Sequence, residues 1–171
     1  MVDEHTRPDS VLVYFTKSAN RIAWGGVVKH EVPLWDYCRD VLPNEWHESW
    51  YSTAPTSVRA GALVVKMYGW YHAYHPKRMY FPYYSDVLDN DYDQQYEYGS
   101  HLSGFSDTHR LFETQYRAGT YDGENYAHSG YVSQWGTKHW ADQGKGYTFM
   151  IHYYYDGSFA TYYENAHFFY Y

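Results

Sequence analysis

The sequence contains a single cysteine, Cys38, in a chain of 171 residues. One thiol excludes an intrachain disulfide and a zinc site built from several cysteines, and it says little about the cellular compartment. Long hydrophobic runs are also lacking, because nowhere do about 18 apolar residues follow one another as a bilayer span requires. We therefore expect one globular domain of ordinary size with no membrane span.

Positive charge is scarce as well. The 13 Lys and Arg residues stand against 20 Asp and Glu residues, which gives a formal net charge of -7. Nucleic-acid binding needs a basic surface that neutralises phosphates, so we expect no nucleic acid among the partners. The same charge balance argues against docking on an anionic membrane. The first ten residues, MVDEHTRPDS, are polar and lack the apolar stretch of a secretion signal. We interpret them as a loose lead-in to the domain.

Aromatic residues are abundant, with 24 Tyr, 7 Trp and 8 Phe. Tyrosine and tryptophan present a flat apolar face with a polar edge, which suits ring-shaped polar ligands such as sugars. The plainer interpretation is a tyrosine-rich core and surface without any role in binding. The composition alone leaves both interpretations open.

The N-terminal third predicts a hairpin followed by a short helix. Residues 11–15 are a short apolar run, and residues 21–32 are a second strand candidate with a break at its two glycines. Helical spacing of apolar residues from Leu34 predicts a short helix, which Pro43 and Asn44 end. Glu45 would then lie in the connection that follows.

A long core helix is predicted after this connection. Pro55 suits its first turn, Ser52 or Thr53 can cap it, and it stops before the next proline. Two glycines within it, Gly61 and Gly69, each cost up to about 1 kcal/mol in a helix. Their presence indicates that another element packs closely against this helix.

The rest of the chain predicts short elements. Residues 111–116 favour a strand, residues 133–143 and 147–155 favour two short helices, and the final residues favour a terminal strand. No internal repeat or linker divides the sequence. We therefore predict one α+β domain over residues 1–171, with antiparallel strands packed around a long core helix and short C-terminal helices.

Three segments together resemble one known family. The first, VLPNEWHESWYSTAPTSVRAGALVVKMYGWYH, places Glu45 beside Trp46 and Trp50, ahead of the long helix. The second, DVLDNDYDQQYEYGS, contains an Asp-Gln-x-Tyr pattern, and the third is SGYVSQWGTKHWADQGKGYTFMIHYYYDG. In this order they resemble the stage II sporulation protein D (SpoIID/LytB) domain family.

The resemblance implies an activity on the bacterial cell wall. It implies a peptidoglycan lytic transglycosylase that cleaves MurNAc-GlcNAc glycan strands, with Glu45 as the catalytic acid and no cofactor. The alternative on the same fold is a non-catalytic glycan-binding protein or an enhancer of a cell-wall amidase. Either role implies an extracellular or cell-envelope location if the chain is exported.

Several further residues match family positions and are candidates for substrate binding. Arg59 and Lys66 match basic residues of the family's helix, while Ser133 and Gln134 match its Ser-Gln pair. His128 matches a histidine five residues before that serine. Tyr68 and Trp135, together with the two tryptophans near Glu45, are the aromatic candidates. The plainer interpretations are core packing for the aromatics, helix capping for Ser133 and a structural role for the histidine.

The sequence also departs from the family pattern. His47 stands where a proline is usual, and Thr56 stands where an acid often precedes the helix. The cysteine-containing metal site of some relatives has no counterpart near Arg117 and Ala118, so we expect no metal. His72 and His75 have a spacing that could share a metal, but chance among eleven histidines explains the pair better.

Lytic transglycosylation requires an environment that keeps Glu45 protonated. Hydrolytic glycosidases usually need two carboxylates, whereas a lytic transglycosylase can use one acid, which protonates the leaving oxygen and then deprotonates the substrate's C6 hydroxyl. The acid must stay protonated near neutral pH, which burial by neighbouring indoles favours. Arg59 and Lys66 should therefore point elsewhere or bind substrate carboxylates. The alternative is that Glu45 is an exposed acid near a helix start, where the dipole stabilises its charge. A third possibility is a surface protein whose aromatics mediate assembly.

Overall fold

The computed structural model describes residues 6–101 and 132–156, together with the backbone of two strands at residues 116–119 and 167–170. The described elements follow one another in an α+β arrangement, as the sequence predicts. Their bounds are β1 (Ser10–Tyr14), α1 (Ser18–Ala23), β2 (Lys29–Pro33), α2 (Leu34–Glu45), α3 (Trp50–Thr53), α4 (Pro55–Tyr74), β3 (Val87–Leu88), β4 (Tyr116–Gly119), α5 (Gln134–Asp142), α6 (Tyr147–Tyr155) and β5 (His167–Tyr170).

The predicted N-terminal hairpin is present, but its second strand is shorter than predicted. Strands β1 and β2 pair in antiparallel register, with Tyr14 opposite Lys29. The predicted strand over residues 21–32 is wrong at its start, because residues 18–23 form helix α1 and the strand begins at Lys29. Gly25 and Gly26 have φ angles of 79° and 84°, which turn the chain between the two elements.

The sheet is mixed rather than purely antiparallel. Its strand order is β2-β1-β3, and β3 runs parallel to β1 with Val13 opposite Val87. The antiparallel pair β4 and β5 forms a second, separate sheet, with Tyr116 opposite Tyr170. The predicted strand at residues 111–116 meets β4 only at its last residue, and the remainder lies outside the described residues.

Helix α4 is the long core helix of the prediction. Pro55 occupies its first turn as predicted, but Ala54 precedes it at the cap position, since Ser52 and Thr53 belong to the short helix α3. A Cβ atom added at Gly61 would lie 2.6 Å from Cε2 of Trp46, so this glycine lets the indole seat directly on the helix backbone. Neither α4 nor any other described helix combines the length and apolar character needed to cross a membrane.

Helix α2 continues past its predicted end and carries Glu45 in its last turn. Pro43 lies inside the helix and does not end it. Proline lacks the N–H that would bond the carbonyl four residues earlier, that of Arg39, and side-chain donors meet the next carbonyl, that of Asp40. Asn44 Nδ2 and Ser100 Oγ both donate to the carbonyl of Asp40, at 2.6 and 2.8 Å. The prediction that Glu45 lies in a connection is therefore wrong.

Two buried carboxylates hold the segment at residues 89–101 against α1 and α2. Asp89 accepts hydrogen bonds from the backbone N–H of Thr16 at 2.7 Å and from Asn20 Nδ2 at 2.8 Å. Asp40 accepts from the N–H groups of Gly99 and His101, at 2.8 and 3.1 Å. These bonds fix the path of this segment past the C-terminal end of α2.

The third buried acid, Asp86, should make the free energy of unfolding depend on pH. It accepts a hydrogen bond from Leu12 N at 2.8 Å, yet burial raises its pKa from 3.8 to about 7. The folded state therefore holds the proton more tightly than the unfolded state, so this group's stabilising contribution is lost as pH rises from about 4 through about 7. We expect Asp86→Asn to gain stability relative to the wild type over that range, by up to about 1.4 kcal/mol per pH unit.

Urea unfolding of both proteins at several pH values between 4 and 8 measures this difference. Asp9→Asn, at an exposed position, is the matched control and should run parallel to the wild type. A constant gap between Asp86→Asn and the wild type at all pH values would contradict the account.

Candidate functional site

The carboxylate of Glu45 meets two hydrogen-bond donors from different parts of the chain. Its Oε1 accepts from the backbone N–H of Gln95 at 2.7 Å, and its Oε2 accepts from Nε2 of Gln134 at 2.9 Å. Gln95 belongs to the segment that Asp40 and Asp89 hold in place, while Gln134 is the first residue of α5. The site is therefore assembled at the meeting point of α2, α5 and the residue 89–101 segment.

An open cleft of about 390 Å³ lies beside this carboxylate. Its walls come from the end of α2, the turn into α3 and the start of α5. The lining residues are Pro43, Asn44, Glu45, Trp46, His47, Glu48, Trp50, Gln134 and Trp135. Two predicted site regions, around Glu45 and around Gln134, thus meet in one concave surface.

The environment raises the pKa of Glu45. Burial is the largest cause, and the nearby charge of Asp91 acts in the same direction. The hydrogen bonds from Gln95 and Gln134 and the charge of Lys17 oppose the change without cancelling it. The alternative prediction of an exposed acid at a helix start is wrong, because Glu45 is half-buried and closes the C-terminal turn of α2, where the dipole disfavours an anion.

The three predicted tryptophans all line the cleft but differ in exposure. Trp46 is 3% exposed, and its Nε1 donates to Thr137 Oγ1 at 3.2 Å, which ties α2 to α5. Trp50 is 5% exposed and meets Trp135 edge-on, with ring centroids 4.8 Å apart. Trp135 is 70% exposed. Trp46 and Trp50 therefore act as a wall, and Trp135 is the ring with a free face for a ligand.

Ser133 caps helix α5, which was its plainer interpretation. Its Oγ accepts a hydrogen bond from the backbone N–H of Gly136 at 2.9 Å, as expected of a serine at the cap position. Capping fixes the start of the helix and hence the direction of Gln134, the next residue. Ser133 thus supports the site through Gln134.

The two basic candidates on α4 lie away from the cleft. The side chain of Lys66 is fully buried, and its Nζ lies 6.0 Å from the centroid of the Trp35 ring. The guanidinium of Arg59 lies over the ring of Tyr147, 4.6 Å from the centroid. Neither residue lines the cleft, so neither charge faces a ligand beside Glu45.

A further candidate, Tyr68, is held in the fold away from the cleft. The hydroxyl of Tyr68 donates to the buried carboxylate of Asp93 at 2.7 Å and accepts from Lys77 Nζ at 2.9 Å. This network holds Tyr68 in the fold, outside the residues that line the cleft. His128 lies outside the described residues.

Three contributors to the site were not singled out from the sequence. The backbone N–H of Gln95 has no side-chain signature, although the Asp-Gln-x-Tyr segment that carries it was part of the resemblance. His47 and Glu48 line the cleft and follow Glu45 directly, so adjacency alone could have indicated them. Within residues 6–101 and 132–156, no group of three His, Cys, Asp or Glu side chains is arranged to hold a metal ion.

Comparison of the chain with known protein families, with curated proteins and with solved structures finds no match.

Proposed function

We propose that the protein is a peptidoglycan lytic transglycosylase of the stage II sporulation protein D type, with Glu45 as its acid and base. The observation that carries the proposal is a half-buried carboxyl with a raised pKa, held by two donors beside an aromatic cleft. The sequence resemblance points to the same residue and to its partner Gln134. The first line of support rests on geometry and the second on residue order.

The hydrogen bonds leave Glu45 able to transfer a proton. Each carboxylate oxygen has two lone pairs, and the structure shows one donor to each oxygen. A proton on either oxygen can pass to the glycosidic oxygen of a strand in the cleft while the bond from C1 to that oxygen breaks. The resulting carboxylate then takes the proton of the C6 hydroxyl as O6 bonds to C1. The products are a new hydroxyl end and a 1,6-anhydro end, and no water is consumed.

A second carboxylate in the cleft gives hydrolysis as the competing chemistry. Glu48 lines the same cleft and is exposed, whereas Glu45 is half-buried. Inverting and retaining glycosidases use a pair of carboxylates, one of which acts as base or nucleophile. The proposal assigns Glu48 no step, so its removal should leave the reaction intact.

The exposed ring of Trp135 favours a second candidate, a glycan-binding protein without catalysis. An exposed indole at the edge of a cleft can stack on a sugar ring whether or not bonds are cleaved. Incubation with purified glycan strands separates the two candidates. Catalysis releases 1,6-anhydro ends, whereas a binding protein retains strands on the wild type and on Glu45→Gln alike and forms no new ends.

The Gln134 hydrogen bond predicts a shift in the pH profile. The bond stabilises the charged carboxylate and so lowers the pKa of Glu45. The reaction needs the protonated acid, so kcat/KM should fall as pH rises through that pKa. Gln134→Leu removes the bond and raises the pKa of Glu45 further. The pH at which kcat/KM falls on the alkaline side should therefore be higher than in the wild type.

The pH dependence of kcat/KM for glycan strands measures this shift. Gln143→Leu, at the exposed C-terminal cap of the same helix, is the matched control and should leave the alkaline fall of kcat/KM in place. If the alkaline fall of kcat/KM stays in place or moves to lower pH in Gln134→Leu, then Gln134 does not lower the pKa of Glu45.

A further inference from the structure

His47 stands in the cleft at a position where the resembled family usually has proline. Its exposed imidazole lines the same cleft as Glu45, two residues away along the chain. The ring lies beside Trp50, with centroids 5.9 Å apart and planes inclined by 32°. An ionisable ring with hydrogen-bonding capacity therefore borders the place where a sugar would sit.

The backbone fixes which nitrogen of His47 carries the proton. The N–H of Ser49 donates to Nδ1 at 3.2 Å, and Ser49 Oγ lies 2.8 Å from the same atom. A backbone N–H can only donate, so Nδ1 must present its lone pair to Ser49. The neutral ring then carries its proton on Nε2. Within the described residues, Nε2 has no hydrogen-bond partner, so this N–H is available to a ligand.

Several side-chain donors around the cleft are already engaged. Asn44 Nδ2 donates to the carbonyl of Asp40 and to Ser100 Oγ, and Trp46 Nε1 donates to Thr137. Gln134 commits one of its N–H groups to Glu45. His47 Nε2–H is thus a fixed donor that cannot also accept, next to the proposed acid.

A donor of this kind distinguishes two forms of an amino sugar. Sugar hydroxyls both donate and accept, whereas the carbonyl oxygen of an acetamido group only accepts. A de-N-acetylated sugar replaces that group with an ammonium, which only donates and leaves His47 without a partner. We propose that His47 determines specificity by donating from Nε2 to the acetamido carbonyl of an N-acetylhexosamine, an inference that rests on the proposed function.

The test measures binding in a Glu45→Gln background, where turnover cannot interfere. The probes are the tetramer of N-acetylglucosamine and the corresponding de-N-acetylated tetramer. The Glu45→Gln protein should bind the acetylated tetramer more tightly than the de-N-acetylated tetramer. Adding His47→Phe keeps a ring beside Trp50 but removes the donor, so affinity for the acetylated tetramer should fall by about 5- to 10-fold, the usual effect of one hydrogen bond. Affinity for the de-N-acetylated tetramer should not change.

A conservative variant separates the donor from the shape of the ring. His47→Gln places an N–H near the position of Nε2, so it should retain most of the preference for the acetylated tetramer. The inference is overturned if His47→Phe leaves the preference intact, if it weakens both tetramers equally, or if Glu45→Gln binds neither tetramer. If the preference behaves as expected but the wild type forms no 1,6-anhydro ends, the contact stands and the proposed catalysis fails.

Discussion

Replacement of Glu45 by glutamine is expected to lower the release of 1,6-anhydro ends from glycan strands by about 100- to 10,000-fold. This range is the usual contribution of a positioned general acid and base. The amide keeps the shape of the side chain and can still accept the hydrogen bond from Gln95 N. It has no acidic proton to give and cannot take one from the C6 hydroxyl. Chromatography of the released fragments measures the rate.

Glu48→Gln is the matched control for this variant, because it removes an exposed carboxylate from the same cleft. We expect its rate to stay close to that of the wild type, since the proposed mechanism assigns Glu48 no step. Thermal unfolding of both variants checks that neither loses its fold. A Glu45→Gln protein that keeps full activity would remove Glu45 from the mechanism. Equal losses in both variants would instead indicate a pair of carboxylates.

Gly61→Ala is expected to destabilise the protein by about 1–3 kcal/mol, the usual cost of overpacking a core. In an ordinary helix the same change stabilises by up to about 1 kcal/mol, because alanine favours helix and glycine does not. Here the added Cβ would lie 2.6 Å from Trp46 Cε2, between two buried elements that have little room to separate. The sign of the effect therefore reports how closely α2 packs on α4.

A double-mutant cycle with Trp46→Phe tests the cause. The phenyl ring lacks the full width of the indole and so has room to move away from the new Cβ. We expect Gly61→Ala to cost clearly less in the Trp46→Phe background than in the wild type, as for two residues in direct contact. Urea unfolding gives the four free energies. Stabilisation by Gly61→Ala in the wild-type background would show that Trp46 does not seat on this glycine.

Local patterns in the sequence predicted the elements whose signals are themselves local. Helix α4 has its proline in the first turn and ends at Tyr74, just before His75 and Pro76, as propensity and spacing require. The C-terminal helices follow for the same reason, as does the N-terminal hairpin apart from the start of its second strand, where α1 forms instead. The two glycines of α4 correctly indicated close packing, because a helix accepts their cost where backbone approach repays it.

The environment of Glu45 could not be predicted from local patterns. Pro43 is expected to end α2, but the helix continues to Glu45, and Asn44 and Ser100 donate to the carbonyl of Asp40 beside it. Ser100 is remote in sequence. The partners of Glu45 are a backbone N–H fifty residues away and an amide on α5. Only the family resemblance placed Glu45 and Gln134 in one site, because residue order carries that information and periodicity does not.

Packing around α4 determines where the side chains of the two basic candidates lie. Arg59 and Lys66 lie on a helix of small residues that resembles the family's helix, and their sequence positions look alike. Their side chains nonetheless end beside Tyr147 and Trp35, so neither reaches the cleft. Which side of a buried helix faces a ligand depends on the elements packed around it, and the sequence of the helix does not contain that information.

Cleavage of glycan strands in water enriched with ¹⁸O tests the role of Glu45 most directly. If one carboxyl serves as acid and then base, the substrate's own O6 closes the ring, so mass spectrometry should find 1,6-anhydro ends that contain no ¹⁸O. New reducing ends that carry ¹⁸O in excess of a control incubated without enzyme would contradict the account, because water and not O6 would then have attacked C1, with a group such as Glu48 to activate it.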